Sequence, residues 1–440
     1  MFRRRIRSGQ TGKAIALSPN RAKRQYDYII LVLQGGGALG AYQAGVFEGM
    51  TEAGYLPNWV TGVSIGAVNG ALIAGNRPQQ RIERLRAFWD RVSSNFSLAA
   101  PPFFSALHQG FAHTSATLGS VIGVPGFFVP RMPPPTFMPD GTLGALSVYD
   151  VNPLRTTLGQ LVDFDLIKRR DVRLSVGAVN VRTGSSTYFD NLETAVGPEH
   201  VLASGALPPA FAPVEIDGEY YWDGGIVSNT PIWHAIDHSP AVNVLIVQVD
   251  LFSADGALPR NLDQVMERHK DIMYASKTRF DSAQVREIQR QRGALRRLLK
   301  KLPAHLKVDP DVKMLEAAGR RGRIDIVRFV NRRDSSRGCT KDYEFSRATV
   351  NELWAAGLND ARRVVAHPQG LIRTELSDSV RVYDLTRGLP AEVKNSGMID
   401  DQAAMPASRE SKGAFRKLLH RLRAKLRPGV KNLRRNVESS

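Results

Sequence analysis

Gly62-Val63-Ser64-Ile65-Gly66 sets a serine between two glycines, where a short apolar run gives way to a small-residue stretch of helical character. Between a strand and a helix, G-x-S-x-G forms a sharp turn that lifts the hydroxyl clear of the backbone and puts the following helix's N-terminus behind it, which suits a nucleophile. Side chains at Gly62 or Gly66 would crowd that turn. The bare pattern is weak, but its placement strengthens it, because the preceding strand also ends in glycines: Gly35, Gly36, Gly37 and Gly40 open another helix.

That first cluster fits G-x-G-x-x-G, so a dinucleotide site has to be weighed. Such a site needs an acid at the end of the next strand, where Val60-Thr61-Gly62 stands, and Glu52 comes too early. Two readings remain: a tight turn without a ligand, or consecutive backbone N–H groups offered to a developing anion. A serine alcohol also needs a base. Asp217-Gly218 is expected to be a hairpin turn, Glu219 to Trp222 the returning strand, and Asp223-Gly224-Gly225 a loop that brings Asp223 towards a neighbouring site. Taken alone, Asp223 is an ordinary turn aspartate. His234 and His238 follow in the Ser, Asp, His order of a triad, one helical turn apart, a spacing that also suits a metal. No further ligands lie nearby, so they are taken as surface or cap residues; no metal and no cofactor is expected.

The elements that must position these residues follow an α/β rhythm. Tyr28 to Leu33 is a continuous apolar run, as in a strand buried on both faces of a parallel sheet. A helix over Ala41 to Ala53, a strand over Trp59 to Thr61 and a helix over Ala67 to Ala74 follow. Further strands are expected at Arg173 to Val179, Tyr220 to Trp222, Val244 to Val249 and Ile324 to Phe329, with an amphipathic helix over Arg81 to Val92. The fold class is α/β with a largely parallel sheet. From Val92 to Pro139 the only formal charge is Arg131, amid many phenylalanines and prolines; this insertion is either a lid or lipid-facing surface, or a segment packed on the body. Arg290 to Lys301 is expected to be a basic helix.

Of the formal net charge of +18, +8 falls in residues 1–25 and +9 in residues 411–440, which leaves +1 for the body. The excess therefore points to an acidic partner for two tails rather than to a basic groove. In the second tail Phe415, Leu418, Leu419, Leu422 and Leu426 share one helical face among basic residues, a pattern suited to an anionic membrane or to docking on the body. The tails lack the aromatic residues that stack bases, so no nucleic-acid partner is expected. One cysteine, Cys339, excludes a disulfide scaffold. With no cleavable leader and no apolar span, the expected location is cytoplasmic, peripheral at a membrane.

Together, Gly35-Gly36-Gly37-Ala38-Leu39-Gly40, Gly62 to Gly66, Ala203-Ser204-Gly205-Ala206-Leu207-Pro208, and Asp223-Gly224-Gly225 continued by Asn229 and Pro231 resemble the patatin-like phospholipase family over roughly residues 28–250. Lys341-Asp342-Tyr343-Glu344-Phe345-Ser346 is similar to an uncharacterised C-terminal region of some bacterial members. The resemblance implies a patatin-like α/β/α sandwich and hydrolysis of lipid acyl esters by a Ser-Asp dyad without histidine. Ser64 would be the nucleophile, Asp223 its base, and Gly35, Gly36 and Gly37 the oxyanion hole, with Gly40, Gly62, Gly66, Gly224 and Gly225 shaping the turns. Leu39 stands where members often carry Arg or Lys, which leaves the head group open.

The expected organisation is a basic tail (1–25), a hydrolase core (26–250, with the 92–139 insertion), an accessory region completing the domain (251–365), a linker (366–410) and a basic amphipathic tail (411–440). The expected function is a serine lipid acyl hydrolase of phospholipase or esterase type, in lipid catabolism or membrane lipid turnover. The alternatives are a catalytically silent lipid-binding protein on the same fold and an esterase for a storage polyester.

Overall fold

The computed structural model describes residues 26–93, 123–303, 308–319, 324–332, 341–366 and 382–384. Both basic tails, most of the expected linker and residues 94–122 of the apolar insertion lie outside the described residues. The chain divides into a unit of residues 1–393 and a unit of residues 394–440, and every described residue belongs to the first.

In chain order come β1 (Tyr28–Leu33), a single 3-10 turn (Gly37–Leu39), α1 (Gly40–Glu52), β2 (Trp59–Val63), α2 (Ile65–Ala74) and α3 (Arg81–Val92). A small ribbon, β3 (Val129–Pro130) and β4 (Tyr149–Asp150), precedes α4 (Asn152–Leu161), α5 (Phe164–Lys168), β5 (Arg173–Asn180), β6 (Ser186–Asp190) and α6 (Pro198–Ser204). The hairpin β7 (Val214–Ile216) and β8 (Glu219–Asp223) leads to α7 (Ile232–Asp237) and β9 (Val244–Asp250). The long α8 (Leu262–Lys300), α9 (Pro310–Gly319), β10 (Ile324–Val330), α10 (Arg347–Ala366) and β11 (Val382–Asp384) complete it.

The main sheet runs β11-β10-β9-β1-β2-β5, parallel throughout, and then turns antiparallel with β8 and β7, while β6 also pairs with β5. Successive side chains of β1 alternate between two cores. Leu31 and Leu33 face the larger one, with α1, α2 and α10; Ile30 and Val32 face the smaller one, with Ile232 and Ile236 of α7. Both faces are thus covered, which is why β1 reads as an unbroken apolar run and β9 opens on four apolar residues, Val244 to Val247. Helices lie on both sides of a mostly parallel sheet, the α/β/α arrangement expected.

Two differences from the sequence reading stand out. The basic stretch at Arg290 is the end of the 39-residue α8, whose polar surface hides its length. Val382–Asp384, inside the expected linker, pairs with β10 as the sheet's edge strand. A run of three residues carries too little periodicity to be seen in advance.

The C-terminal helix α10 lies on α1 at backbone contact. A Cβ on Gly45 would sit 2.0 Å from the Trp354 carbonyl oxygen, and one on Gly357 would sit 2.1 Å from that of Tyr42. Only glycine on each side allows this approach, which ties α10 to the helix opened by the glycine loop.

Candidate active site

Ser64 follows the last residue of β2 and caps α2 with φ 56° and ψ −126°, a conformation costly to a residue with a side chain and held only by its surroundings. A Cβ on Gly62 would meet the Gly66 carbonyl oxygen at 2.3 Å, and one on Gly66 would meet that of Leu33 at 2.4 Å. The turn is therefore pressed against β1. From the other side Ser64 N–H donates to Ser204 Oγ at 2.9 Å, and Ser204 Oγ–H donates to the Gly177 carbonyl at 2.6 Å.

Strand β5 sets the distance between the two predicted catalytic residues. Its pairing with β6 occupies one edge over 175–179, so β2 and β8 share the other. There β2 ends with Val63 opposite Gly177, and β8, arriving antiparallel, ends with Asp223 opposite Ala178. Ser64 and Asp223, far apart in sequence, meet where two strands abut end to end. The Asp223 carboxyl lines the same cleft as Ser64 and accepts Gly225 N–H at 2.7 Å. Asp223 is 3% exposed. Burial pushes its pKa up to about 6, against the opposing pull of the neighbouring Ser64 and of the hydrogen bond from Gly225.

The glycine loop lies beside them. Gly35 N–H donates to the Asn229 carbonyl at 3.1 Å, and Asn229 Nδ2 donates back to the Gly35 carbonyl at 3.1 Å. Gly35 thus drops out of the expected trio of oxyanion donors, since its N–H is committed, and its role is to hold the loop against Asn229. Among the described residues no hydrogen bond takes up the N–H of Gly36 or Gly37. Gly37 has φ +55°, and a Cβ there would stand 2.2 Å from the Asp342 carbonyl oxygen, so glycine is required for both conformation and space.

These groups open into one cleft. Ser64, Asp223 and the glycines line it together with an apolar set, Phe127, Phe128, Leu154, Leu202 and Phe211. Tyr274, Asp342, Tyr343 and Phe345, from the C-terminal half, complete the lining, with Phe345 packed on Phe127 at 5.6 Å between ring centroids. Burial and the neighbouring Asp342 raise the Tyr343 phenol well above its ordinary pKa, so it stays protonated. Lys270 pairs with Asp342 at 2.7 Å. Sequence reasoning named Ser204 and Asn229 only as parts of motifs and gave the tyrosines no role; a serine whose partners are two backbone groups leaves no spacing signal.

The histidines are elsewhere. His234 stacks on Tyr188 with ring centroids 4.0 Å apart, meets Trp59 edge-on, and lies 3.7 Å from Asp190. Trp59 begins β2 whereas Ser64 follows its end, so this cluster sits at the opposite end of the strand from the elbow. Asp190 also accepts from Ser175 Oγ at 2.5 Å and pairs with Arg173 at 2.8 Å. Burial alone would raise its pKa, but the nearby His234 and the hydrogen bonds from Arg173 and Ser175 hold the carboxylate well below its usual range. Among the described residues no group of three or more His, Cys, Asp or Glu is placed to hold a metal.

Comparison with known families matches residues 31–236 to patatin-like phospholipase and residues 272–375 to a second family described as patatin phospholipase. Among solved structures the chain is similar to VipD from Legionella pneumophila, at 16% identity over 75% of this chain and 67% of that one, with a TM-score of 0.29. No curated protein matches the chain. The two family matches take in both halves of the cleft: the chain belongs to the patatin-like phospholipase family, whose members are hydrolases acting on ester bonds.

Proposed function

We propose that this protein hydrolyses fatty-acyl esters of lipids with Ser64 as nucleophile, Asp223 as its base, and the N–H groups of Gly36 and Gly37 as the oxyanion hole. The observation that carries the reading is that Ser64, following the end of β2, and the buried Asp223, ending β8, are brought together on one edge of β5 in a cleft shared with the glycine loop. An aspartate at its ordinary pKa of about 3.9 is a poor base towards an alcohol, and burial corrects this. As Ser64 Oγ bonds to the acyl carbon, its proton passes to Asp223 and the carbonyl oxygen takes the negative charge, facing the two amides. Collapse expels the alcohol, which takes the proton from Asp223 and leaves an acyl-serine. Water then attacks that ester, gives its proton to Asp223, and frees the fatty acid as the proton returns to Ser64.

The apolar wall suits an acyl chain. Two basic tails and a single cysteine support a cytoplasmic protein working at an anionic membrane surface. Among the described residues no helix is long and apolar enough to cross a membrane. Labelling with a fluorophosphonate, together with hydrolysis of a short-chain nitrophenyl ester, tests the reading: both are expected in the wild type and neither in Ser64→Ala. Undiminished hydrolysis by Ser64→Ala overturns it, and absence of both in the wild type favours the silent lipid-binding alternative.

A further inference from the structure

The wall of the cleft continues outward into a projecting loop. Phe127, Phe128 and Val151 line the cleft, and between them the ribbon of β3 and β4 carries residues 131–148 outward, anchored where Val148 N–H and Tyr149 N–H donate to the carbonyls of Pro209 and Ala210. Tyr149 packs on Phe128 at 4.7 Å and on Phe211 at 6.0 Å, so the root of the loop and the acyl wall are one aromatic stack. Beyond that root large apolar side chains point into solvent: Met132 is 84% exposed and Phe137 77%, and Leu143 and Leu146 are exposed as well. Over residues 131–148 the only charges are Arg131 and Asp140.

The backbone of this loop is also prepared for an apolar medium, where an unpaired N–H is costly. Pro133, Pro134, Pro135 and Pro139 have no N–H to satisfy. Arg131 N–H donates to the Val148 carbonyl, Phe137 and Met138 N–H to those of Pro134 and Pro135, and Ala145 N–H to that of Thr142. Arg131 Nε donates to Ser147 Oγ at 2.9 Å, so the one cation is folded back on the loop. An exposed apolar patch with its turns closed internally and few groups for polar recognition fits lipid better than a protein partner.

We infer that the 131–148 loop is an interfacial anchor: Met132, Phe137 and Leu143 enter the surface of a lipid aggregate, so that an acyl chain reaches Ser64 along the Tyr149–Phe128–Phe211 wall without crossing water. This deepens the reading of the cleft as an acyl hydrolase and rests on it for the substrate, but the anchor is measurable without turnover.

The test uses full-length protein carrying Ser64→Ala, with or without Met132→Ser, Phe137→Ser and Leu143→Ser together, on vesicles of phosphatidylcholine. Their zero net charge suppresses attraction of the basic tails. Co-sedimentation is expected to show the triple substitution weakening partition at least about tenfold, with Phe137→Leu near the parent. In protein retaining Ser64, the triple variant should lose a similar factor against an ester presented in vesicles and stay within about twofold of wild type on a soluble short-chain ester. Unchanged vesicle partition overturns the anchor. So does a change in oligomeric mass without lipid when vesicle binding is unaltered, because the patch is then a protein interface. Absence of soluble-ester hydrolysis in the wild type defeats the hydrolase reading alone, since the partition arm does not depend on it.

Discussion

Ser64 and Ser204 are joined by a hydrogen bond from the backbone of one to the side chain of the other: Ser64 N–H donates to Ser204 Oγ at 2.9 Å. Because Ser204 Oγ–H donates in turn to the Gly177 carbonyl at 2.6 Å, one hydroxyl bridges the strained elbow to the strand that also positions Asp223. Ser204 is therefore a positioning residue. Ser204→Ala should lower kcat about 10- to 100-fold with KM changed by less than about threefold, the equivalent of roughly 1.4–2.7 kcal/mol. Equal loss in kcat and in the folded fraction would reduce Ser204 to a structural role.

Asp223 gives two expectations with opposite signs. As the base it must be ionised, so kcat/KM should rise with pH along a limb centred near 6. For stability the raised pKa works the other way: the folded state favours the protonated carboxyl, so stability falls as pH climbs from the ordinary carboxylate value of about 3.9 through 6. Asp223→Asn, neutral at every pH, should lose several orders of magnitude in turnover yet melt no lower than wild type above pH 6. A variant that is inactive and also less stable there contradicts this account.

The cluster around His234 should matter for stability and not for chemistry. Asp190 has its pKa held down, so its contribution is present above the ordinary carboxylate range and is lost as pH falls through its lowered folded value. Asp190→Asn should cost on the order of 3 kcal/mol at neutral pH, as when one partner of a buried pair is removed. The gap to wild type should close only in strong acid. His234→Ala and His238→Ala should each stay within about tenfold of wild type in turnover. A kinetic loss beyond that at unchanged melting temperature would revive a triad.

Gly37→Ala tests the loop's dependence on the C-terminal half. The added methyl stands 2.2 Å from the Asp342 carbonyl oxygen at a backbone with φ +55°, so the loop must shift and its amides with it. A fall in kcat of about 100-fold or more is expected, since removing one oxyanion donor elsewhere costs about 10²–10³. Fluorophosphonate labelling should slow in parallel. Wild-type kinetics would mean that the amides of Gly36 and Gly37 do not face the reacting oxygen.

Much of the floor of the cleft was legible in the sequence because it is built from turns, and turns are written in local residue types. Gly62 and Gly66 mark an elbow that a Cβ would block, and Asp217-Gly218 marks the hairpin delivering Asp223, with φ 51° and 80°. The commitment of Gly35 to Asn229 was not legible, because a backbone amide's partner 194 residues away leaves no trace in spacing. Strand β6 was missed for a related reason: Ser186–Asp190 carries polar residues on an edge position, so the apolar signature of a buried strand is lacking. Of the lining from the C-terminal half, Asp342, Tyr343 and Phe345 showed only through family likeness, and Tyr274, on the long α8, showed not at all, because a helix's spacing does not say which of its residues meets a cleft.

The close contact of Gly37 with Asp342 also has a consequence in time. A ribosome delivers residues 31–236, with serine, aspartate and glycine loop all present, well before it reaches Asp342, Tyr343 and Phe345. Until then the loop has no abutment, the cleft lacks one side, and α1 lacks the helix that packs on Gly45. The nascent chain thus carries Ser64, Asp223 and the glycine loop for more than a hundred residues of synthesis before Asp342, Tyr343 and Phe345 exist to complete the lining around them.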